Sequence, residues 1–518
     1  MTTLYLWPLL AGVALTMFVF FVGAMNVMWF VVAGILLILF ALAVRIVPIW
    51  KSRYAGCDAY YYLLCMEEFK ERKKLPIVLP KYFLLDIQEQ WYPPVFIVFL
   101  SLFNKDFIKK YYWAISPMID MFILVGLYAI TYALTGNILA STIAGLVYAL
   151  TPAVISECSN LNSRLLGSLF LTATMVSVLL FVNTCNYYLL LLSILFGVIL
   201  LMTHKMSAQL LYFVLPLMSL VFWDYRYMVV VLLIFIFTLL VFGEMFIKVL
   251  KGQYDILRFW NRNWKNLGAH QVNSSPIYGD EKRIDENRVF KRGLKGLYRH
   301  ARSMGVSPFA VMLVFPLMNY SLLSMFDKQV FWWVVISYAL VALTLIIPNF
   351  RFYGEGYKYL RMTVFPVAYL AGLPIYYKWD VMPYFYIVLG FVVLLDIVAL
   401  VLMHRWRVDW SNPPLDDNLS KILEFIKGNE KVKVILSVPT HLMDTIAYHC
   451  RKQVIWGTHS DNFDEVEPLF PVYRKPLEYF VKKYGISHIV VDDKYVKPEA
   501  IGLAGEIYRS GRYRIYET

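Results

Sequence analysis

Apolar runs long enough to cross a bilayer recur along most of this chain, and they constrain its fold more than any other feature. The hydrocarbon core is about 30 Å thick, so a helix needs about 20 apolar residues to span it. Runs near that length lie at 4–22, 27–48, 114–134, 138–153, 165–182, 187–202, 208–222, 228–247, 309–326, 330–348, 362–376 and 383–403. They predict a polytopic all-α membrane bundle of about 12 transmembrane helices. Composition agrees: 59% of the 518 residues are hydrophobic and 16% are charged, where a soluble domain has about 25% charged. The first run lacks a basic leader and is too long for a signal core, so no cleavable signal peptide is expected.

The charge balance of 49 Lys and Arg against 36 Asp and Glu gives +13. In a membrane protein such an excess suits anionic headgroups or a phosphate-bearing substrate. No basic helix or RNA-binding signature is present, so nucleic acid is not expected as a partner. Cys57, Cys65, Cys158, Cys185 and Cys450 are scattered without a CxxC pair, which indicates neither a zinc site nor a disulfide framework.

The polar residues are unevenly shared between the two faces. Alternate turns are tiny (GAMN, TGN, TCNY, DYRY, FDKQ, YKWD). The other face carries the first large loop at 49–112, the turn at 156–164, His204–Lys205, the segment 248–308, the turn at 351–361 and the tail. The spans read as nearly free of ionisable groups and no internal repeat is visible. A carrier or channel would place charges and broken helices within matching halves. The pattern therefore predicts an interfacial enzyme, with a carrier or flippase for a lipid-linked glycan, or a non-catalytic scaffold, as the alternatives. Lys51, Arg53, Lys105, Lys109, Lys110, Arg351, Lys358, Arg361, Arg405 and Arg407 all flank spans on the crowded face. By the positive-inside rule that face would be cytoplasmic.

Within the first loop, Asp58 stands in GCDAYYYL, about ten residues beyond an apolar run and beside Tyr60, Tyr61 and Tyr62. A carboxylate there is costly unless it is hydrated, paired or used in chemistry. It would otherwise serve as the N-cap of an amphipathic helix. The apolar piece at 95–103 is too short to span and reads as a re-entrant or interface-lying helix.

From about residue 411 the texture changes. Strands are expected at 431–438, 452–457, 486–493 and 513–517, and helices at 441–450, 476–485 and 498–511, as in a small parallel α/β domain. It contains neither GxGxxG nor a P-loop, so no nucleotide site is indicated. Asp492 and Asp493 end a strand, where open α/β sheets bind ligands, or they are plain turn residues.

At GCDAYYYL followed by WYPPVFIVFLSLF, the sequence resembles the lipid-donor glycosyltransferases of the GT-C fold. That superfamily includes the oligosaccharyltransferase catalytic subunit, the protein O-mannosyltransferases and the aminoarabinose transferases of lipid A. Its members carry an acid in the first large exoplasmic loop, often followed by a YPP-type motif. Asp58 and Tyr92-Pro93-Pro94 fill those places here. In YGEGYKYLRMTVFP, Arg361 stands five residues before Pro366, like the arginine that meets the donor phosphate in family members. A soluble α/β tail is a third likeness. The chain departs from the pattern in lacking WWDYG, for which WGTHSD at 456–461 is no equivalent, and in lacking a DxD in SECSNLNSRLLG. It also has two expected spans before the acidic loop where the family usually has one.

The resemblance implies a catalytic membrane domain over 1–410, with a substrate-ordered loop at 248–308, and a soluble domain over 411–518. It implies transfer of a sugar from a polyprenyl-phosphate donor to a glycan, lipid or protein acceptor, on the exoplasmic face of the cell membrane. Asp58 would be the base and Arg361 the phosphate clamp, with Arg351, Lys205 and His204 also toward the phosphate. Glu157, Arg164, Tyr92, His270, Tyr278, Glu355 and Tyr357 would contact substrate. Each has a plainer reading. Arg361 and His204–Lys205 could anchor headgroups, Glu157 and Arg164 could pair with each other, and Tyr357 could sit in an interface belt. A helix at 288–302 could lie on anionic lipid. No metal ligands or cofactor are assigned, and a divalent metal stays open.

Overall fold

The short polar turns between apolar runs act as helix caps. Asn104 Oδ1 accepts from Asp106 N at 2.9 Å to start the helix Lys105–Thr135, and Gly136, at φ +62°, ends it. Asn137 starts Ile138–Leu150 by accepting from Ala140 N at 3.0 Å. Asn186 does the same for Tyr187–Leu201, and Ser324 for Met325–Ile346. The computed structural model describes residues 27–50, 53, 55–56, 58–75, 79–86, 91–284, 307–354, 356–379, 382–410, 415–457, 459 and 462–518.

The described residues contain six helices long and apolar enough to cross a membrane, or up to eight if each of two bent pairs is one span. The expected span at 4–22 lies outside the described residues. Several of the expected spans are bent or short, for local reasons. Pro152 breaks the expected span at 138–153 into Ile138–Leu150 and Pro152–Cys158, bent by 57°. The run at 309–326 is split into 3-10 and α turns beginning at Pro308. Tyr187–Leu201 and Val364–Tyr377 have only 15 and 14 residues. The run at 228–247 turns through 118° at Gly243 and continues as the amphipathic helix Glu244–Arg262.

The spans are less empty of charge than their hydropathy suggests. Arg45 and Asp120 form a fully buried ion pair between helices Val27–Ile46 and Lys105–Thr135. Arg45 also donates to the Ala41 and Ala149 carbonyls at 3.1 Å each, and the Tyr148 hydroxyl donates to Asp120 Oδ1 at 2.5 Å. Asp396 is fully buried as well. Averaging over a window of about 20 residues hides single ionisable groups of this kind.

The tail forms a five-stranded sheet of order β2-β1-β3-β5-β4, with β1 Val434–Val438, β2 Gln453–Val454, β3 His488–Asp492, β4 Glu506–Ser510 and β5 Tyr513–Glu517. β1 pairs parallel with β2 and β3, whereas β5 pairs antiparallel with β3 and β4, so the sheet is mixed rather than parallel. The expected helix at 498–511 is only the turn Pro498–Ile501 followed by β4. Gly502 and Gly505, both at positive φ, stop the helix, and Gly511 makes the hairpin turn into β5.

The first loop is bound to this sheet. Leu84 N donates to the Val454 carbonyl at 2.8 Å and Leu85 N to the Ile455 carbonyl at 3.0 Å, which extends the sheet beyond β2. The tail is thereby held against the crowded face of the bundle.

Candidate active site

Asp58 is the first residue of the helix Asp58–Arg72, where the helix dipole favours an anion. Its neighbours Tyr60, Tyr61 and Tyr62 are all buried. Just before it, Gly56 has φ +83°, and a β-carbon there would lie 2.6 Å from Asn160 Oδ1. Leu161 N donates to the Ala55 carbonyl at 2.7 Å. The Asp58 loop and the 156–164 turn are thus locked edge to edge, which brings Asp58 within 3.7 Å of Arg164.

Glu157 projects from the short helix Pro152–Cys158, aimed by the bend at Pro152, and is 2% exposed. Its Oε1 accepts from Asn162 Nδ2 at 3.0 Å and from Arg164 Nη1 at 3.2 Å. Its Oε2 pairs with Arg361. Asp58, Arg164, Glu157 and Arg361 therefore form one alternating chain of charges. Arg361 follows the turn Tyr357–Leu360, which packs tightly on helix Met325–Ile346 through Gly356. A β-carbon at Gly356 would sit 2.0 Å from Thr344 Oγ1.

A pocket opens beside this chain, lined by Glu157, Arg164, Lys358 and Arg361 at its charged end and by Leu165 and Met206 among its apolar walls. Lys358 was seen in the sequence only as a face-marking charge, and its place in the pocket follows from the turn that also carries Arg361. Lys205 begins the helix Lys205–Phe222 and faces the like charges of Lys358 and Arg164. Such a crowd of cations is stable only when anions are nearby.

His204 is buried and caps the same helix. Its Nδ1 accepts from Ser207 N at 3.3 Å and lies 2.9 Å from Ser207 Oγ. Burial first, then Arg164 and Lys205, holds its imidazole well below the usual range. Tyr92 is buried beside Tyr62, with ring centroids 6.3 Å apart. Tyr357 is half-buried against the core.

His270 and Tyr278 are brought to the tail instead. The His270 ring stacks on Tyr495 at 4.0 Å, and its Nδ1 accepts from Asn273 N at 2.9 Å. The Tyr278 hydroxyl accepts from Leu477 N at 2.5 Å. Together with Gln271, whose Nε2 donates to the Leu469 carbonyl at 2.8 Å, they bind the segment after Arg262 to the soluble domain. Arg351 belongs to the turn Pro348–Tyr353, with its side chain outside the described residues. Glu355 and residues 285–306, with the helix expected at 288–302, also lie outside them.

One residue entered the site without a sequence signal. His459, from the loop after β2, sits with its ring 4.6 Å from Tyr92 and its Nε2 3.9 Å from Asp58 Oδ2. Asp58 and Glu157 each face a guanidinium, and among the described residues no three His, Cys, Asp or Glu side chains come together.

The chain has the GT-C fold, here a helical membrane bundle with a small α/β tail. It is similar to the oligosaccharyltransferase of Archaeoglobus fulgidus in its apo form, with a TM-score of 0.57 at 12% identity over 90% of this chain and 70% of that one. The archaeal oligosaccharyltransferase AglB from Archaeoglobus fulgidus, in complex with an inhibitory peptide and a dolichol-phosphate, gives 0.55 at 10% identity, over 90% and 69%. ArnT from Cupriavidus metallidurans, bound to undecaprenyl phosphate, gives 0.56 at 13% identity over 95% and 97%. No family model and no curated protein sequence matches the chain.

Proposed function

We propose that this protein is a membrane glycosyltransferase that moves a sugar from a polyprenyl-phosphate donor to an acceptor at the membrane surface. The observation that carries the reading is the charge chain. Asp58 and Arg361, about three hundred positions apart in sequence, are joined through Arg164 and Glu157 beside one pocket. The fold adds support, since the similar structures of AglB and ArnT hold dolichol-phosphate and undecaprenyl phosphate.

In this mechanism Asp58 takes the proton of the acceptor as its oxygen or nitrogen attacks the anomeric carbon. The bond from that carbon to the phosphate oxygen breaks, and its electron pair leaves with the polyprenyl phosphate. The phosphate gains one negative charge in the step. Arg361, with Lys358 in the same pocket lining, meets that charge at the pocket, where a guanidinium binds phosphate in a fixed fork. Attack from the face opposite the phosphate is a single displacement with inversion. Glu157 holds both arginines in position.

The test is Asp58→Asn in full-length protein. A general base contributes about 10²–10⁴-fold, so turnover should fall by that factor while undecaprenyl phosphate still binds. A variant that keeps wild-type turnover removes Asp58 as base. A carrier would show no sugar transfer in either form.

The crowded face is proposed as exoplasmic, on the cell membrane, against the positive-inside count. Cysteine placed at the exposed Asp280 should react with an impermeant maleimide in intact cells. The exposed Cys185, in a turn of the bare face, should react only after permeabilisation. The reverse pattern would place the site in the cytoplasm.

A further inference from the structure

His459 belongs to the soluble tail, yet its ring is packed into the membrane domain's aromatic wall. Tyr92, Tyr62 and Tyr61 lie with ring centroids 4.6, 5.2 and 5.5 Å away, and the Tyr61 hydroxyl donates to the His459 carbonyl at 3.4 Å. The Nε2 atom is shielded from solvent and has no hydrogen-bond partner among the described residues. A buried polar atom of this kind costs stability unless something completes it. It points at Asp58 Oδ2 across 3.9 Å, too far for a hydrogen bond between them. An oxygen about 2.8 Å from each atom would fit the gap as a bridge.

The charge state suits such a bridge. Burial pushes the imidazole down to about 4, with Lys205 and Arg164 adding to the effect and Asp58 opposing it. The ring is therefore neutral at neutral pH and carries one N–H. The facing carboxylate favours that hydrogen on Nε2.

We propose that His459 Nε2 and Asp58 Oδ2 together hold the reacting group of the acceptor, and that this group is a hydroxyl. The hydroxyl oxygen accepts from Nε2–H through one lone pair and directs its own hydrogen at Asp58. A second lone pair is left for the anomeric carbon. An amide nitrogen has no lone pair to offer an N–H donor, because it is delocalised into the carbonyl. As the new C–O bond forms and the bond to phosphate breaks, the proton passes to Asp58 and His459 keeps its own. The soluble domain thereby contributes a substrate-binding side chain to a site otherwise built by the bundle. This rests on the reading of Asp58 as base.

The experiment uses full-length protein in membrane vesicles, a polyprenyl-phosphate hexose labelled in the sugar, and two acceptor probes. One is an alkyl glycoside, offering hydroxyls, and the other an asparagine peptide, offering an amide. Label should pass to the glycoside and not to the peptide. His459→Ala should raise KM for the glycoside about 10- to 100-fold and leave undecaprenyl phosphate affinity unchanged, which also reports a folded protein. His459→Gln, which keeps an N–H donor, should recover most of the loss. Wild-type glycoside KM in His459→Ala, label on the peptide, or no label on the glycoside would each overturn the proposal. The underlying reading fails separately, if Asp58→Asn keeps its turnover.

Discussion

Glu157 is the residue on which both arginines of the site depend. It is 2% exposed, while Arg164 and Arg361 are 27% and 20% exposed. Breaking a buried pair costs about 3–5 kcal/mol because a charge is left without its partner. Here the partly exposed guanidiniums recover some hydration, so about 2 kcal/mol is the fairer figure for Glu157→Ala. Thermal unfolding in detergent should show the loss. Glu157→Gln keeps an acceptor for Asn162 and Arg164 and should lose less. Both variants should weaken undecaprenyl phosphate binding, since Arg361 would no longer be aimed. If Glu157→Ala bound the phosphate as wild type does, Glu157 would be a bystander to the clamp.

At the scale of elements, the site depends on two loops that must approach without a side chain between them. Gly56→Ala would force positive φ on an alanine and press its β-carbon against Asn160. Such strain costs about 1–3 kcal/mol, and relief by loop movement would shift Asp58 away from Arg164. Turnover should fall at least 10-fold though no charge is removed, as about 1 Å of misplacement costs up to 10²-fold. Unchanged activity in Gly56→Ala would show that the close approach is dispensable. Asp58, Tyr92-Pro93-Pro94 and Arg361 could be read from sequence because each lies in a short motif at a fixed place among the spans. The helix Val95–Ser101 was legible from its length alone. Lys358 as a pocket residue and His459 were not, because neither carries a local pattern. His459 reaches Asp58 through contacts between tail and first loop such as the pairing of 84–85 with 454–455, some 370 residues apart in the chain. Hydropathy gave no sign of where proline or glycine bends an apolar run, since it is blind to backbone geometry.

At the scale of the whole molecule, the junction between bundle and tail is kept by groups that must stay uncharged. Burial pushes His441, His449 and His459 each down to about 4. Arg512 adds to the effect at His441, and Arg451 and Lys427 add to it at His449. His449 packs edge-on against Tyr60 at 4.8 Å, and His459 against Tyr92, so two of the three lie where the tail meets the Asp58 helix. An unfolded chain takes up protons at these residues below about pH 6.5, whereas the folded chain does so only near pH 4. Between those limits the unfolded state binds more protons, and stability must fall as pH falls. The contribution is fully present above about pH 7, and about 1.4 kcal/mol of it per histidine is lost by pH 5.5. Asp492, held above its usual range by burial, works in the opposite sense, but only toward the acid end. The unfolding temperature in detergent should therefore drop between pH 6.5 and 4.5. Tail and bundle should separate in limited proteolysis over the same range. A melting temperature that held constant or rose on acidification through that window would mean these histidines are solvated, and that the tail does not seat His459 against Asp58.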